Sequence, residues 1–356
     1  MNKKILERDA GKDIVVVTAY TKETASYGGR KEKIKSLFTT EHEGTGYHYC
    51  LFSLFSVFRF LLSFLRADVV HVVKAGPELI VPVLFAKLFR KPVIIKIAQD
   101  DLENLLPIKI KILRRARRYL IKNADVIVAL SEKIANEARL LGVDGDKIKR
   151  IPNGVDIDKF NCNSASQSGV IRNKKYLFVG AISKRKGMLD LLRALEKYEG
   201  QNVDFSFAGP IYDIVGFQER LEVLNSKGYI KAKYYGAVND PEKIIKEHDC
   251  LVLPSYNEGM PNVVLEAMAC GLYCILSDIN VHKELCAAAK GSIFKLGDPD
   301  DLLSAIMTFN FMDYGCAERR EQSEAAIKRY SSVVVSQMYI DIYNSLCPLT
   351  HMGSCS

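Results

Sequence analysis

The sequence predicts an α/β protein built as two doubly wound parallel-sheet domains, and three observations carry that prediction. The chain has 356 residues, longer than the roughly 250–300 at which one hydrophobic core gives way to two. Short apolar runs alternate with longer amphipathic stretches throughout, the pattern of parallel sheets covered by helices on both faces. One polar segment without periodicity, Asn161 to Lys175 (NCNSASQSGVIRNKK), divides the alternation into two series.

The strand candidates of the first series are Ile14–Thr18, Val69–Val73, Val93–Ala98, Val126–Leu130 and Ile148–Ile151. Those of the second are Tyr176–Val179, Val203–Ala208, Lys231–Tyr235, Cys250–Leu253 and Tyr273–Ser277. Helical spacing marks Pro77–Phe89, Leu189–Lys197 and Val263–Cys270 between them. The reading is a first domain over 1–160, a surface linker over 161–175 and a second domain over 176–329. Ligands of doubly wound sheets bind beyond the carboxyl ends of the strands, so two such domains face to face would hold their substrates in a cleft.

Hydrophobic residues make up 48% and charged residues 26% of the chain, an ordinary globular balance. The charged N-terminus does not read as a signal peptide. Nine cysteines without paired metal-ligand spacing fit reduced, mostly buried thiols in a cytoplasmic protein. Residues 1–170 hold 29 basic against 19 acidic side chains, while the whole chain carries +8. A basic first half favours an anionic partner, and no nucleic-acid-binding signature accompanies it. Residues 107–122 (PIKIKILRRARRYLIK) concentrate seven cations on a helical pattern, either a solvated face or a helix lying on anionic lipid. The apolar stretch Leu51–Leu65 is too short to span a bilayer and reads as a buried or partly buried helix, with a membrane-dipping helix as the alternative.

The chemistry-bearing signal is Glu258 to Glu266, EGMPNVVLE. It follows a strand and a short polar loop and opens a helix. Eight residues apart, the two carboxylates cannot share a helical face; Glu258 belongs to the loop and Glu266 to the helix. The backbone from Gly259 through Met260, Pro261, Asn262 and Val263 would present N–H groups and a helix dipole to one anion. A diphosphate is the expected occupant, with Glu258 binding sugar hydroxyls and Glu266 accepting from a ribose diol. Lys186, before Gly187 at a strand-to-helix turn, can neutralise a departing diphosphate. The acid pairs Asp144/Asp146, Asp156/Asp158 and Asp298/Asp300/Asp301 read as turn formers and caps. No metal site is implied.

Within NEGMPNVVLEAMACG, the Glu–seven residues–Glu pattern resembles the GT-B-fold retaining glycosyltransferases of family 4, the glycosyl transferases group 1. Arg150–Asp156 (RIPNGVD), Ala124–Glu132 (ADVIVALSE) and Val179–Leu192 (VGAISKRKGMLDLL) resemble further segments of that family, in the same order. The resemblance implies two Rossmann-like domains and a terminal helix, over 330–350, crossing back to the first domain. It implies transfer of a hexose or related sugar from a nucleoside-diphosphate sugar, a UDP-sugar being favoured, with retention and without a cofactor or metal. Gly180 and Lys186 fall on the donor-phosphate loop, and Gly28 and Gly29 on a glycine pair that lets the first domain approach donor and acceptor. The implied acceptor is a saccharide or polyprenyl-linked glycan of a bacterial cell surface. The implied place is the cytoplasm, peripheral on the inner face of the membrane.

Three positions depart from the family pattern. Ala181 stands where family members commonly carry an arginine, and Arg185 would supply that charge. His71 ends the strand ADVVH, but a second family histidine is here Val73. A third, at the end of the next strand, is absent; Lys96, Gln99 and Asp100 are the acceptor-side replacements. Two other readings stay open: a sugar-nucleotide epimerase or isomerase of this fold, and a binding subunit without catalysis.

Overall fold

A computed structural model describes residues 14–17, 67–73, 75–76, 79–98, 111–162 and 174–347. These fall into two compact units. Unit 1 holds the described residues up to Asn153 and those from Val335 onward, and unit 2 runs from Gly154 to Val334.

Unit 1 is a parallel sheet in the order β1-β2-β3-β4-β5, with β1 Ile14–Val17, β2 Val69–Val72, β3 Val93–Ile97, β4 Val126–Ala129 and β5 Ile148–Arg150. Its helices are α1 (Ile80–Leu88), α2 (Lys111–Lys122) and α3 (Glu132–Leu140). Every residue of β2 and β4 is buried, as continuous apolar strands require. The Ser131 hydroxyl caps α3 by accepting from the Ile134 N–H at 3.4 Å.

Unit 2 is a parallel sheet in the order β11-β10-β9-β6-β7-β8. Its strands are β6 (Lys174–Val179), β7 (Val203–Ala208), β8 (Ile230–Tyr234), β9 (Cys250–Leu253), β10 (Tyr273–Ser277) and β11 (Gly291–Phe294). The connecting helices are α4 (Met188–Lys197), α5 (Phe217–Ser226), α6 (Pro241–Lys246), α7 (Asn262–Ala269), α8 (Asn280–Cys286), α9 (Pro299–Phe311) and α10 (Cys316–Tyr330). Tyr176, fully buried in β6, stacks on Phe205 at 4.5 Å between ring centroids and donates to the Ile306 carbonyl at 3.0 Å. A last helix, α11 (Ser332–Leu346), sends Val335, Tyr339, Ile342 and Tyr343 onto Val69, Ile94 and Val128 of unit 1.

Three differences from the sequence reading have physical causes. The division between the units lies at Asn153–Gly154 rather than at residue 160. Val155 pairs with the far end of unit 2, its N–H donating to Tyr330 and its carbonyl accepting from Ser332, and Phe160 packs in that unit's core. Most of the linker over 161–175 lies outside the described residues, as does Leu51–Leu65. The terminal helix read over 330–350 begins at Ser332, because α10 ends at Tyr330 and Ser331, whose ψ is 145, breaks the spiral between them. Strand β11 has no counterpart in the reading, because Gly-Ser-Ile-Phe at a half-exposed sheet edge shows no apolar alternation. The Asp298 side chain accepts from the Asp300 and Asp301 N–H groups, and Asp144 and Asp156 cap turns in the same way.

Candidate functional site

In unit 2 the chain leaves β6 toward β7 and β8 on one side and returns to β9, β10 and β11 on the other. The order reverses between β6 and β9, and a doubly wound sheet opens a crevice beyond its carboxyl edge there. The segments leaving those two strands carry Lys186 and Glu258.

Glycines hold the two loops together. Gly187 caps α4 at φ 71, and a Cβ there would lie 1.9 Å from the Pro254 carbonyl oxygen. Only glycine tolerates both the conformation and the approach. The Tyr256 N–H donates to the Arg185 carbonyl at 2.9 Å, and the Tyr256 hydroxyl donates to the buried Asp190 carboxylate at 2.7 Å. So clamped, Lys186 Nζ reaches Glu258 Oε1 at 2.5 Å, the two side chains only 13% and 10% exposed. Gly180 lies beneath that lysine, where a Cβ would sit 3.7 Å from Lys186 Cε, an ordinary contact. Arg185 is exposed and donates to the Asn257 carbonyl at 3.1 Å. It thus joins the Glu258 loop rather than the Lys186–Glu258 pair, and Ala181 adds no charge of its own.

Gly259 and Met260 are partly exposed and lead to Pro261, the N-cap of α7, which offers no side-chain cap. From Val263 to Ala269 the helix is buried. Glu266 stands one turn from Asn262, on the same helix face, and its side chain leans toward the N-terminal end. Burial pushes its carboxyl up to about 7, and its Oε2 has no partner among the described residues. A buried carboxylate oxygen without a donor is costly and marks a place for a ligand.

His282, on α8, was not singled out in the sequence; a lone histidine after a strand gives no spacing signal. It is fully buried, and burial holds its imidazole down to about 4, so the ring is neutral. Ser277 Oγ donates to the Ser255 carbonyl at 2.6 Å, so its one proton is used. The His282 Nδ1 therefore carries the hydrogen shared with Ser277 Oγ and O, both at 3.1 Å. The Nε2 lone pair is left facing no donor. The charges of Glu258 and Lys186 both act on this ring.

Two family models match the chain in tandem: Glycosyltransferase Family 4 over residues 8–159 and Glycosyl transferases group 1 over residues 165–329. This chain belongs to the GT-B glycosyltransferases of family 4. It is 31% identical over 222 residues to the UDP-Gal:alpha-D-GlcNAc-diphosphoundecaprenol alpha-1,3-galactosyltransferase of Escherichia coli, covering 57% of this chain and 56% of that one. It is 25% identical to the putative teichuronic acid biosynthesis glycosyltransferase TuaC of Bacillus subtilis (strain 168), over 69% of this chain and 62% of that one. The matches thus span about three fifths of those relatives' length. Among solved structures, Anabaena Alr3699/HepE in complex with UDP shares the fold at a TM-score of 0.67 and 19% identity, with 82% of each chain covered.

Of the acceptor-side candidates in this family 4 chain, His71 and Lys96 are described and lie together. His71, in register with Ile94 of β3, is buried and bonds Tyr343 Oη through Nδ1 at 2.8 Å. Burial and then the charge of Lys96 bring its imidazole down to about 3. Burial brings the Lys96 ammonium down to about 8, and it donates to Asn153 Oδ1 at 3.0 Å. Gly28, Gly29, Gln99 and Asp100 lie outside the described residues.

Proposed function

We propose that this chain transfers a hexose from a nucleoside-diphosphate sugar, a UDP-sugar being favoured, to a saccharide or polyprenyl-linked saccharide with retention of configuration. One observation carries the reading: the ion pair of Lys186 and Glu258 stands at the sheet's switch point, and the same segment runs on to the α7 N-terminus and the unpartnered Glu266 carboxylate. A nucleotide-sugar supplies what each group lacks. Its ribose diol donates to Glu266 and its diphosphate meets the α7 N-terminus. Its sugar hydroxyls bond Glu258, and the leaving phosphate draws Lys186 off its carboxylate partner. The lysine and the helix N-terminus would take the charge-neutralising role of a metal. Attack from the face the diphosphate leaves, with that phosphate accepting the hydroxyl proton, gives retention without an enzyme nucleophile. Of the named relatives, one is a galactosyltransferase of a diphosphoundecaprenol-linked GlcNAc and the other a putative teichuronic acid biosynthesis glycosyltransferase, which supports the acceptor class.

The test is nucleotide release from UDP-, GDP- and ADP-sugars, with and without short lipid-linked saccharides. Release from one donor, cut by about 10²-fold or more in Lys186→Ala, is expected; normal turnover in that variant removes the lysine from the mechanism. The binding-only reading keeps one support, the Ala181 position that Arg185 does not fill. Donor binding without release under every acceptor would establish it.

We also place the chain on the inner face of the membrane, through the outer surface of α2. Arg114, Arg115, Arg118 and Lys122 are exposed there, with Tyr119 67% exposed. Arg117 is not part of that face; it is 4% exposed. Leu120 and Ile121 face the core, so the contact would be electrostatic rather than immersed. The neighbouring α1 adds exposed Leu84 and Leu88. Among the described residues no helix is long and apolar enough to cross a membrane.

A further inference from the structure

We infer that unit 1 carries a phosphate-binding subsite at the carboxyl ends of β2 and β3, with Lys96 as its cation and His71 and Tyr339 as its hydrogen-bonding walls. Lys96 projects from β3 on the face covered by α11. Its ammonium has one side-chain acceptor, the neutral Asn153 amide oxygen at 3.0 Å, and lies 6.0 Å from the centre of the Tyr339 ring. It forms no ion pair among the described residues. Half-buried and held by a neutral acceptor alone, this ammonium has no counter-charge among the described residues.

Its neighbours are incomplete as well. His71 is 1% exposed, and one ring nitrogen, Nε2, has no partner among the described residues. The Tyr339 hydroxyl, buried with its ring centroid 5.5 Å from that of His71, has none either. Polar groups from β2, β3 and α11 thus lie close together, with the Tyr339 ring beside both His71 and Lys96. A neutral sugar would satisfy the hydroxyl and the imidazole but leave the ammonium without a counter-charge. A phosphate group answers all three, with one oxygen against the cation and others accepting from the neighbouring donors. Access is from the strand ends, where Lys96 and Ala98 are both partly exposed.

The phosphate has two chemical sources, a free inorganic anion or the diphosphate joining a saccharide to a lipid. Assigning the second rests on the transferase reading; the subsite does not. The experiment is calorimetric titration of the full chain in excess UDP, which fills any diphosphate site of unit 2. The titrants are inorganic pyrophosphate and citronellyl diphosphate. Wild type should bind at least one of them. Lys96→Met should weaken it about 10-fold or more, the loss of a charge-assisted contact. Lys96→Arg should stay within about 3-fold. Tight citronellyl diphosphate makes the source a lipid-linked acceptor, whereas pyrophosphate alone makes it a free anion. No binding by wild type, or equal binding by a folded Lys96→Met protein, overturns the subsite. Failure of every donor to release nucleotide would instead remove the transferase reading and leave the titration standing.

Discussion

Under the proposed function Glu266 ties a buried carboxyl to the chemistry of a ribose. Burial raises its folded value to about 7 from an ordinary 4.5, so the folded chain holds a proton that the unfolded chain releases earlier. Its contribution to stability is complete below pH 4.5 and is lost as pH rises to about 7. Two diol hydroxyls donating to the same carboxylate favour its ionised form, so nucleotide binding should expel the proton. Affinity for UDP should therefore tighten between pH 6 and pH 8, by roughly an order of magnitude at most, and the trend should flatten in Glu266→Gln. Calorimetry in buffers of differing ionisation enthalpy reads both the affinity and the proton; an unchanged pH trend in the variant would detach Glu266 from the nucleotide. The sequence exposed this residue through its spacing to Glu258. It did not expose His282, whose tautomer follows from Ser277 donating its one proton to the Ser255 carbonyl.

At the scale of elements, close backbone approach and one buried ion pair position the site. Gly187→Ala would force a side chain into a left-handed backbone against the Pro254 carbonyl. The conformation alone costs about 1–2 kcal/mol, and the collision would pull the Lys186 loop off β9. The variant should melt lower and release nucleotide more slowly, with donor affinity falling as well. On the far side of the same strand, Arg319 of α10 meets Asp249 at 2.9 Å and the His248 carbonyl at 3.0 Å, both side chains about 10% exposed. Asp249 also accepts from the Lys175 N–H at the start of β6. Arg319→Met strands that carboxylate and should cost about 3–5 kcal/mol in urea unfolding. Arg319→Met with Asp249→Asn should cost less than the single change, since no unpaired charge remains; an equal loss would show that packing rather than charge holds α10.

Over the whole molecule, the charge asymmetry has a measurable consequence. Anionic vesicles should co-sediment the chain at low salt and release it as ionic strength rises toward physiological values and beyond, since the attraction acts within a Debye length of about 8–10 Å. Arg114, Arg115 and Arg118 changed together to glutamate should abolish the binding without altering release from a soluble acceptor; salt-independent binding would instead require apolar insertion. The parallel class of both sheets and ten of the strands were readable before any coordinates, because strands buried on two faces must be continuously apolar and punctuated by turns. The edge strand β11 and the break at Ser331 were not, since neither leaves a periodic mark in the chain. By itself the sequence determined which segments become strands and that two sheets form, and it singled out Lys186, Glu258 and Glu266, on which the proposed function rests, for these depend on local pattern and spacing. Only the tertiary structure decided that Lys186 closes on Glu258, that Glu266 and His282 keep unpaired atoms, and that Lys96, His71 and Tyr339 meet. Those facts depend on which strands become neighbours and on how much water the packing removes.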